Sequence, residues 1–262
     1  MKIKVLLENT SLDEALKAEH GLSLYIETGE HKILFDMGQT ETFAENAEQM
    51  GIDLAQVDIA ILSHGHYDHG GGLKRFLEIN KKAVVYLNRR AFLPYYNGTE
   101  KYIGLDQELK QNQRLVLVDD TLIIEEGITL CSCNQKMRPF SFSNFGLMKK
   151  ESSTFVADDF LHEQYLLIQE SGKCFVFSGC SHKGILNIMN WLKPDVLIGG
   201  FHFSKMDCSK DEEALLFAAK ILKEYPAKYF TGHCTGAEQY GFLKAILGDQ
   251  LECLGTGMEI VI

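Results

Sequence analysis

The chain has 262 residues, 45% of them hydrophobic, and a formal net charge of −10 at neutral pH. A chain of this length can bury a large core, and no low-complexity segment marks a linker, so residues 1–262 are expected to form one domain. The acidic balance disfavours nucleic acid or an anionic membrane surface as a partner. No run approaches the roughly 18 apolar residues of a membrane helix, and the first residues turn polar too soon for a signal peptide.

The cysteines bear on the compartment in which the protein works. Seven cysteines stand at irregular spacing, and an odd number without a pattern argues for reduced thiols rather than a disulfide framework. A cytoplasmic protein is therefore expected. The pair Cys131 and Cys133 could suggest a metal, but one C-x-C is weak evidence and is interpreted as packing at a strand end.

The first third of the chain predicts strands and helices in alternation. The expected strands are 22–27, 32–36, 59–62 and 83–87, and the expected helices are 42–50 and 73–79. The segment 134–159 has no clean period. It is expected to be irregular, either a long loop beside a functional site or an ordinary surface excursion.

Four residues with metal-binding side chains follow the buried strand 59–62. They are His64, His66, Asp68 and His69. Imidazole nitrogens and carboxylate oxygens are ligands that zinc prefers, and the neighbouring glycines let the backbone fold tightly enough for the side chains to converge. A histidine-rich surface loop is the alternative, but four donors within six positions after a buried strand argue against it. The stretch predicts a metal site.

Later strands also have a histidine or a cysteine at one end. His162 precedes a predicted strand, whereas the others follow one: Cys180, His182, His202 and His233. One histidine in such a place is usually structural, but seven of the nine histidines lie at strand ends or strand-edge loops, which favours a shared site. His20 and His31 are interpreted as incidental.

The H-x-H-x-D-H stretch, complete at positions 64–69, resembles the signature of the metallo-β-lactamase superfamily. The motif T-G-H at 231–233 resembles the last ligand motif of that family. The three motifs G-C-S-H-x-G, G-G-F-H and T-G-H-C-T-G together resemble the branch related to an archaeal pterin-forming synthase. The resemblance covers positions 36–233 and implies an α/β fold, a four-layer αββα sandwich with its site at one edge. It also gives Asp36, which position alone would assign to a turn, the role of orienting metal ligands.

The resemblance further implies two divalent transition-metal ions, with zinc as the expected metal. His64, His66 and one further histidine would bind the first ion, and Asp68, His69 and His233 the second. Both His162 and His182 remain candidates for the third histidine. Cys180 stands where relatives carry a bridging aspartate and is a further candidate ligand.

These residues predict a metal-dependent hydrolase that uses an activated water on an ester, phosphoester or related bond. The substrate is expected to be a small molecule, and it can be anionic because a dicationic pair dominates its own cleft. Asp68 would orient the attacking hydroxide, and His202 would donate a proton to the leaving group, with His182 as another donor. The alternatives are a transferase like the dihydropterin–aminobenzene ribofuranosyl phosphate synthase and a non-catalytic metabolite-binding protein. The sequence leaves the oligomeric state open.

Overall fold

The computed structural model describes residues 1–141 and 143–262. In chain order its strands are β1 (Lys2–Leu7), β2 (Ser23–Glu27), β3 (Lys32–Phe35), β4 (Ile59–Ile61), β5 (Val84–Asn88), β6 (Tyr95–Asn97), β7 (Lys101–Tyr102), β8 (Leu115–Val118), β9 (Thr121–Glu125), β10 (Ile128–Cys131), β11 (Leu147–Glu151), β12 (Thr154–Ala157), β13 (Tyr165–Glu170), β14 (Lys173–Phe177), β15 (Val196–Ile198), β16 (Lys228–Thr231), β17 (Leu251–Cys253) and β18 (Glu259–Val261). Its helices are α1 (Thr42–Gln49), α2 (Tyr67–Gly70), α3 (Leu73–Ile79), α4 (Ile185–Leu192), α5 (Glu212–Glu224) and α6 (Ala237–Leu247).

Two large sheets form the centre of the molecule. The first has the strand order β18-β1-β2-β3-β4-β5-β8, and the second has the order β17-β16-β15-β14-β13-β10-β9. In the first sheet β3, β4, β5 and β8 run parallel. In the second, β14 to β17 run parallel. Each sheet therefore has a parallel half whose strands end at one edge.

The two sheets pack face to face through alternate residues of their strands. Ile59 and Ile61 of β4 face inward and share a core with Phe175 and Phe177 of β14. Ala60, between the two isoleucines, faces outward toward the other side of the sheet. This follows from the two-residue period of a strand, which sends neighbouring side chains to opposite faces.

Helices cover the outer face of each sheet. Phe43 of α1 and Phe76 of α3 pack against the first sheet, and residues of α4, α5 and α6 pack against the second. The layers run helix, sheet, sheet, helix, so the predicted αββα sandwich is confirmed. Across the two described ranges, none of the helices has both the length and the apolar character needed to cross a membrane.

A small third sheet corrects one expectation. The segment 134–159 was expected to be irregular, but it contains β11 and β12, which pair with each other and, through β11, with β6 and β7. These strands lack the buried alternation that marks a strand in sequence, because β11 carries half-buried Lys149 and Lys150 in its middle. The hairpin stands beside the edge at which the parallel strands end.

Candidate metal centre

The first group of donors consists of His64, His66 and His182. All three are buried, and their donor atoms lie within 4.8 Å of one another. The Ser63 hydroxyl donates its one proton to the Asp36 carboxylate, with 2.7 Å between the oxygens, so it must accept from Nδ1 of His64 at 2.8 Å. Nε2 of His64 therefore carries a lone pair, and it faces Nε2 of His182 at 3.2 Å.

Burial keeps these imidazoles neutral. It lowers the pKa of His64 and of His182 well below the ordinary value, and the neighbouring histidines lower both further. Burial also lowers the pKa of His66, although Asp158 opposes the shift. A neutral imidazole is the form that binds a metal ion.

The second group consists of Asp68, His69 and His233. Nδ1 of His69 donates to Asp36 at 2.7 Å, and Nδ1 of His233 donates to Asn9 at 3.0 Å. The two Nε2 atoms, each left with a lone pair, lie 3.2 Å apart, and Nε2 of His233 lies 3.3 Å from a carboxylate oxygen of Asp68. Two imidazole nitrogens and a carboxylate oxygen at such distances repel one another unless a metal ion or a proton lies between them. Asp36 and Asp68 raise the pKa of His69, so a proton can take that place when no metal is bound. This donor set therefore fits a metal ion.

Asp68 is buried but ionised. Burial works to raise the pKa of its carboxyl group, but His69, His20 and His233 hold that pKa well below the ordinary value. The contact with His20 corrects an expectation, since Nε2 of this histidine, interpreted as incidental, lies 3.3 Å from Asp68. No local motif accompanies His20 in the sequence, and it reaches the site from the loop before β2.

Cys180 lies between the two groups. Its sulfur is 3.2 Å from Nε2 of His69. Cys180, His64 and His69 form one cluster of possible metal donors, and Cys180, His202 and Cys234 form another. Burial raises the pKa of the Cys180 thiol well above its ordinary value, and Cys234 raises it further. A thiolate at this position therefore needs a neighbouring cation.

His162 lies behind the first group rather than within it. Its Nδ1 accepts a hydrogen bond from the backbone N–H of Gly65 at 2.8 Å, which places the proton on Nε2, 3.1 Å from Asp158. The ring also stacks on Tyr95 at 3.9 Å between centroids. With both nitrogens engaged, His162 supports the loop that carries His64 and His66. The geometry favours His182 over His162 as the third histidine of the first group.

His202 borders the donors from the end of β15. It adopts the left-handed backbone conformation with a φ of 58°, which is uncommon for a residue with a side chain and tends to mark functional sites. Its ring lies 4.3 Å from that of His182 between centroids. It lies beside Cys234, and a hydrogen bond with His202 helps to lower the pKa of that thiol. The donor atoms of His202, Cys180 and Cys234 lie within 4.8 Å of one another.

A cleft of about 470 Å³ is lined by members of both groups, His66 and His182 of the first and Asp68 and His233 of the second. His202, Leu147 and two lysines, Lys101 and Lys205, also line it. The ammonium groups of Lys101 and Lys205 donate to the Tyr67 hydroxyl at 3.2 Å and to the Phe145 carbonyl at 2.8 Å. Two cations thus stand in the wall of a cleft in an otherwise acidic protein.

Glu8, Asn9 and Asp158 support the site without belonging to any motif in the sequence. The buried carboxylate of Glu8 accepts a hydrogen bond from the backbone N–H of His233, and burial raises its pKa, although His233 opposes the shift. Asp158 accepts from His162, and Asn9 accepts from His233. A signal for such residues would require knowing which strand ends meet, which spacing alone does not give.

Comparisons with known proteins agree with this architecture. A sequence profile of the metallo-β-lactamase superfamily matches residues 16–134. The crystal structure of Tm1679, described as a metal-dependent hydrolase of the β-lactamase superfamily, superposes with a TM-score of 0.86 at 26% identity and covers 100% of this chain and 99% of its own. The chain belongs to the metallo-β-lactamase superfamily. The resemblance drawn from the H-x-H-x-D-H motif is thereby confirmed.

Two proteins of Methanocaldococcus jannaschii are similar in sequence to the protein described here. One, an uncharacterised protein, is 32% identical over 212 residues, which are 76% of this chain and 78% of the relative. The other is 7,8-dihydropterin-6-methyl-4-(β-D-ribofuranosyl)-aminobenzene-5'-phosphate synthase, 30% identical over 271 residues, 93% of this chain and 90% of the relative. The likeness to the pterin-forming synthase branch is confirmed. The relatives thus include both a hydrolase and a synthase.

Proposed function

We propose that this protein is a metal-dependent hydrolase with two divalent transition-metal ions, most simply zinc. His64, His66 and His182 would hold the first ion, Asp68, His69 and His233 the second, and Cys180 would contact the second from its place between the groups. The observation that carries the proposal is the convergence of His69, His233 and Asp68. There two Nε2 atoms lie 3.2 Å apart, and each ring is oriented by an oxygen acceptor at its Nδ1.

The residues around the donors have distinct parts in the proposed reaction. The bound metals would supply a water whose pKa is lowered toward about 7 and would polarise the bond to be cleaved. Asp68, held ionised by its three histidines, would orient the nucleophile. His202, which borders the donors beside the ring of His182, would donate a proton to the leaving group.

The two lysines of the cleft support a substrate class. Lys101 and Lys205 line the same cavity as the donors, so an anionic small molecule would meet positive charge on two sides, the lysines and the metals. A phosphoester satisfies this requirement better than a neutral ester does.

The second candidate function is group transfer. The 30% identity to the archaeal synthase over 93% of this chain favours it, because a shared donor set can serve carbon–nitrogen or carbon–carbon bond formation as well as hydrolysis. The motif residues do not separate the two reactions.

One experiment separates the candidates. The metal-loaded protein is incubated with phosphodiester, lactone, thioester and β-lactam substrates, and in parallel with a dihydropterin and an aminobenzene ribofuranosyl phosphate, with Asp68→Asn as the control. We expect the protein to hydrolyse substrates of the first set, with phosphodiesters cleaved fastest. We expect no condensed product from the dihydropterin and the aminobenzene ribofuranosyl phosphate. A condensed product without hydrolysis would establish the transferase. Turnover of neither set by protein with two bound metals would favour a metabolite-binding protein.

A further inference from the structure

Two cysteines outside the metal centre lie in direct contact. Cys131 ends β10, and Cys133 follows after a single residue, with 3.0 Å between the two sulfur atoms. Cys133 is buried, whereas Cys131 is half-buried and reachable from solvent. The proposed hydrolase uses neither of them.

The backbone is shaped so that the two sulfurs meet. Cys133 takes the left-handed conformation with a φ of 55°, which bends the chain directly after the strand. Asp120 holds this bend, because its carboxylate accepts from the Ser132 hydroxyl at 2.7 Å and from the Asn134 N–H at 2.8 Å. The contact is therefore built into the fold.

The two thiols are electrostatically unequal. The hydrogen bond from Cys133 lowers the pKa of Cys131 to about 6, although burial opposes the shift. The pKa of Cys133 is raised by the same hydrogen bond and by burial. At neutral pH Cys131 is thus the thiolate, which is the reactive form of cysteine, and Cys133 keeps its proton.

We propose that Cys131 and Cys133 form a thiol–disulfide exchange site for a low-molecular-weight disulfide such as oxidised glutathione. The Cys131 thiolate attacks one sulfur of that disulfide, forms a mixed disulfide and releases the other half as a thiolate. Cys133 then attacks the sulfur of Cys131, the intramolecular bond forms, and the second half leaves. The two cysteines give up two electrons, and the proton of Cys133 passes to a released thiolate.

A bond that spans one residue closes a small ring. Strained or exposed disulfides have higher reduction potentials than structural ones and are the labile and regulatory kind. The bond is therefore expected to be reversible in excess thiol.

A chain of contacts leads from this pair to the metal centre. The buried ammonium group of Lys183 donates to the carbonyl of Ser132, the residue between the cysteines, at 2.6 Å and to the carbonyl of Glu163 at 2.7 Å. The Glu163 carboxylate in turn accepts from the backbone N–H of His182 at 2.7 Å. Forming the disulfide turns the Ser132 peptide, weakens the Lys183 contact and shifts His182. This consequence rests on the proposed role of His182 as a ligand.

The exchange site is tested by equilibrating the reduced, metal-loaded protein with mixtures of reduced and oxidised glutathione. After the remaining thiols are blocked, trypsin releases the peptide 115–136, whose cysteines are Cys131 and Cys133. We expect this peptide to lose two hydrogens as the oxidised fraction rises and to regain them in excess thiol. Cys174→Ser should behave like the parent, and Cys131→Ser should form no internal bond. The proposal would be overturned if, after incubation with oxidised glutathione alone, the peptide still carried two free thiols. It would also be overturned if the peptide carried bound glutathione but no internal disulfide.

The effect of the disulfide on the metal centre is tested by a separate measurement of zinc affinity. Zinc affinity is compared between the reduced and oxidised parent, with Cys131→Ser treated identically. One of the two ions should bind about 10- to 100-fold more weakly in the oxidised parent, the scale for losing a contact behind a ligand, and Cys131→Ser should not change. Equal weakening in both proteins would place the effect at another cysteine and overturn the link. A reduced parent that binds no zinc would refute the proposed function instead, and the peptide result would still stand.

Discussion

At the scale of single residues, the site depends on where each imidazole carries its proton. Asp36 fixes two of these positions. Its carboxylate accepts a hydrogen bond from Nδ1 of His69 and another from the Ser63 hydroxyl. That hydroxyl in turn accepts a hydrogen bond from Nδ1 of His64. Both rings therefore direct Nε2 toward another donor, His64 toward His182 and His69 toward His233. Asn9 does the same for His233.

Asp68 offers the sharpest test of the reaction. Asp68→Asn keeps the size and one oxygen donor but removes the charge, so it should lower turnover by on the order of 10²–10⁴, the scale of general-base effects. The fold should stay intact, because the residue lies on the short helix α2 at the sheet edge. Turnover on the phosphodiester and metal content are measured together.

His202→Ala is the matched variant for that measurement. It should also lower turnover, but it should keep the full metal content because His202 lies outside both proposed ligand groups. Parent-like turnover of Asp68→Asn would refute the hydrolytic mechanism. Loss of metal from His202→Ala would show that the division between ligands and proton donor is wrong.

Cys180 can be tested through metal content alone. The loaded parent should hold about two ions per chain, and Cys180→Ala should weaken the second ion more than the first, by at least about tenfold. The reason is the contact of its sulfur with His69 at 3.2 Å. Elemental analysis and competition with a chelator give both numbers, and Cys174→Ala serves as the control. Equal retention of both ions would make Cys180 a packing residue.

The sequence predicts which residues meet better than it predicts what each of them does. His162 and His182 both stand at strand ends, and spacing cannot rank them. His182 is the better candidate for the third ligand because the backbone N–H of Gly65 donates a hydrogen bond to Nδ1 of His162. No pattern of residue types encodes that hydrogen bond. His20 and Glu8 were missed for the same reason, since each reaches the site across the fold from a distant stretch of chain.

At the scale of elements, the loop between β4 and α2 is the most constrained part of the site. An added Cβ at Gly65 would lie 2.2 Å from the carbonyl oxygen of Ala91, and backbone cannot move aside cheaply. The loop carries His64 and His66 on either side of this contact, so its path and their positions are coupled.

Gly65→Ala should therefore displace the loop and weaken the first metal ion, with a loss of stability of about 1–3 kcal/mol as for overpacking in a core. Gly241→Ala is the control, because within the described chain nothing lies within 4 Å of a Cβ added there. Gly241 lies inside α6, and alanine in a helix is favoured over glycine by roughly 0.5–1 kcal/mol. Chemical unfolding and zinc titration measure both effects, and a Gly65→Ala protein with parent-like zinc affinity would contradict the argument.

Elements with a regular apolar pattern were predictable, and those without one were not. The expected helix 73–79 is α3, and the expected strands around the motif match β3, β4 and β5 to within two residues, because burial on one or both faces leaves a clear period. The β11–β12 hairpin has mostly half-buried and exposed side chains. Pairing with β6, distant in sequence, holds it in place, and sequence periodicity does not report such pairing.

At the scale of the whole molecule, the site is the meeting point of two similar halves. β4 of one sheet supplies the loop with His64 to His69, while β14, β15 and β16 of the other supply Cys180 and His182, His202 and His233. The inner core between the sheets is apolar, so it can hold the two edges in register without bound metal. Much of the polar chemistry is then concentrated at one edge as buried, mutually repelling imidazoles.

That concentration should make the metal-free protein sensitive to mild acid. Burial lowers the pKa of His64, His66 and His182 in the folded state, whereas an unfolded histidine titrates near about 6.5. The free energy of unfolding is therefore unaffected by these three histidines above that value. It decreases as pH falls below it, because only the unfolded chain takes up the protons. His69 acts in the opposite direction: burial works to lower its pKa, but Asp36 and Asp68 raise it overall, so its contribution is present below about 6.5. The lowered pKa of Asp68 has no effect until well below pH 5.

The raised pKa of Glu8 also favours the folded state in acid. Three losses against these two gains predict that the free energy of unfolding of the metal-free protein falls between pH 7 and pH 5. Each net proton contributes about 1.4 kcal/mol per pH unit. Urea unfolding of chelator-treated protein at several pH values measures the slope, and His182→Asn should make it shallower because one titrating group is removed. Zinc should raise the whole curve but make its fall below about pH 6.5 steeper, because His69 bound to a metal no longer takes up a proton in the folded state. A metal-free protein whose stability is constant or rises on acidification would show that these histidines are not buried as neutral groups, and the donor geometry would have to be revised.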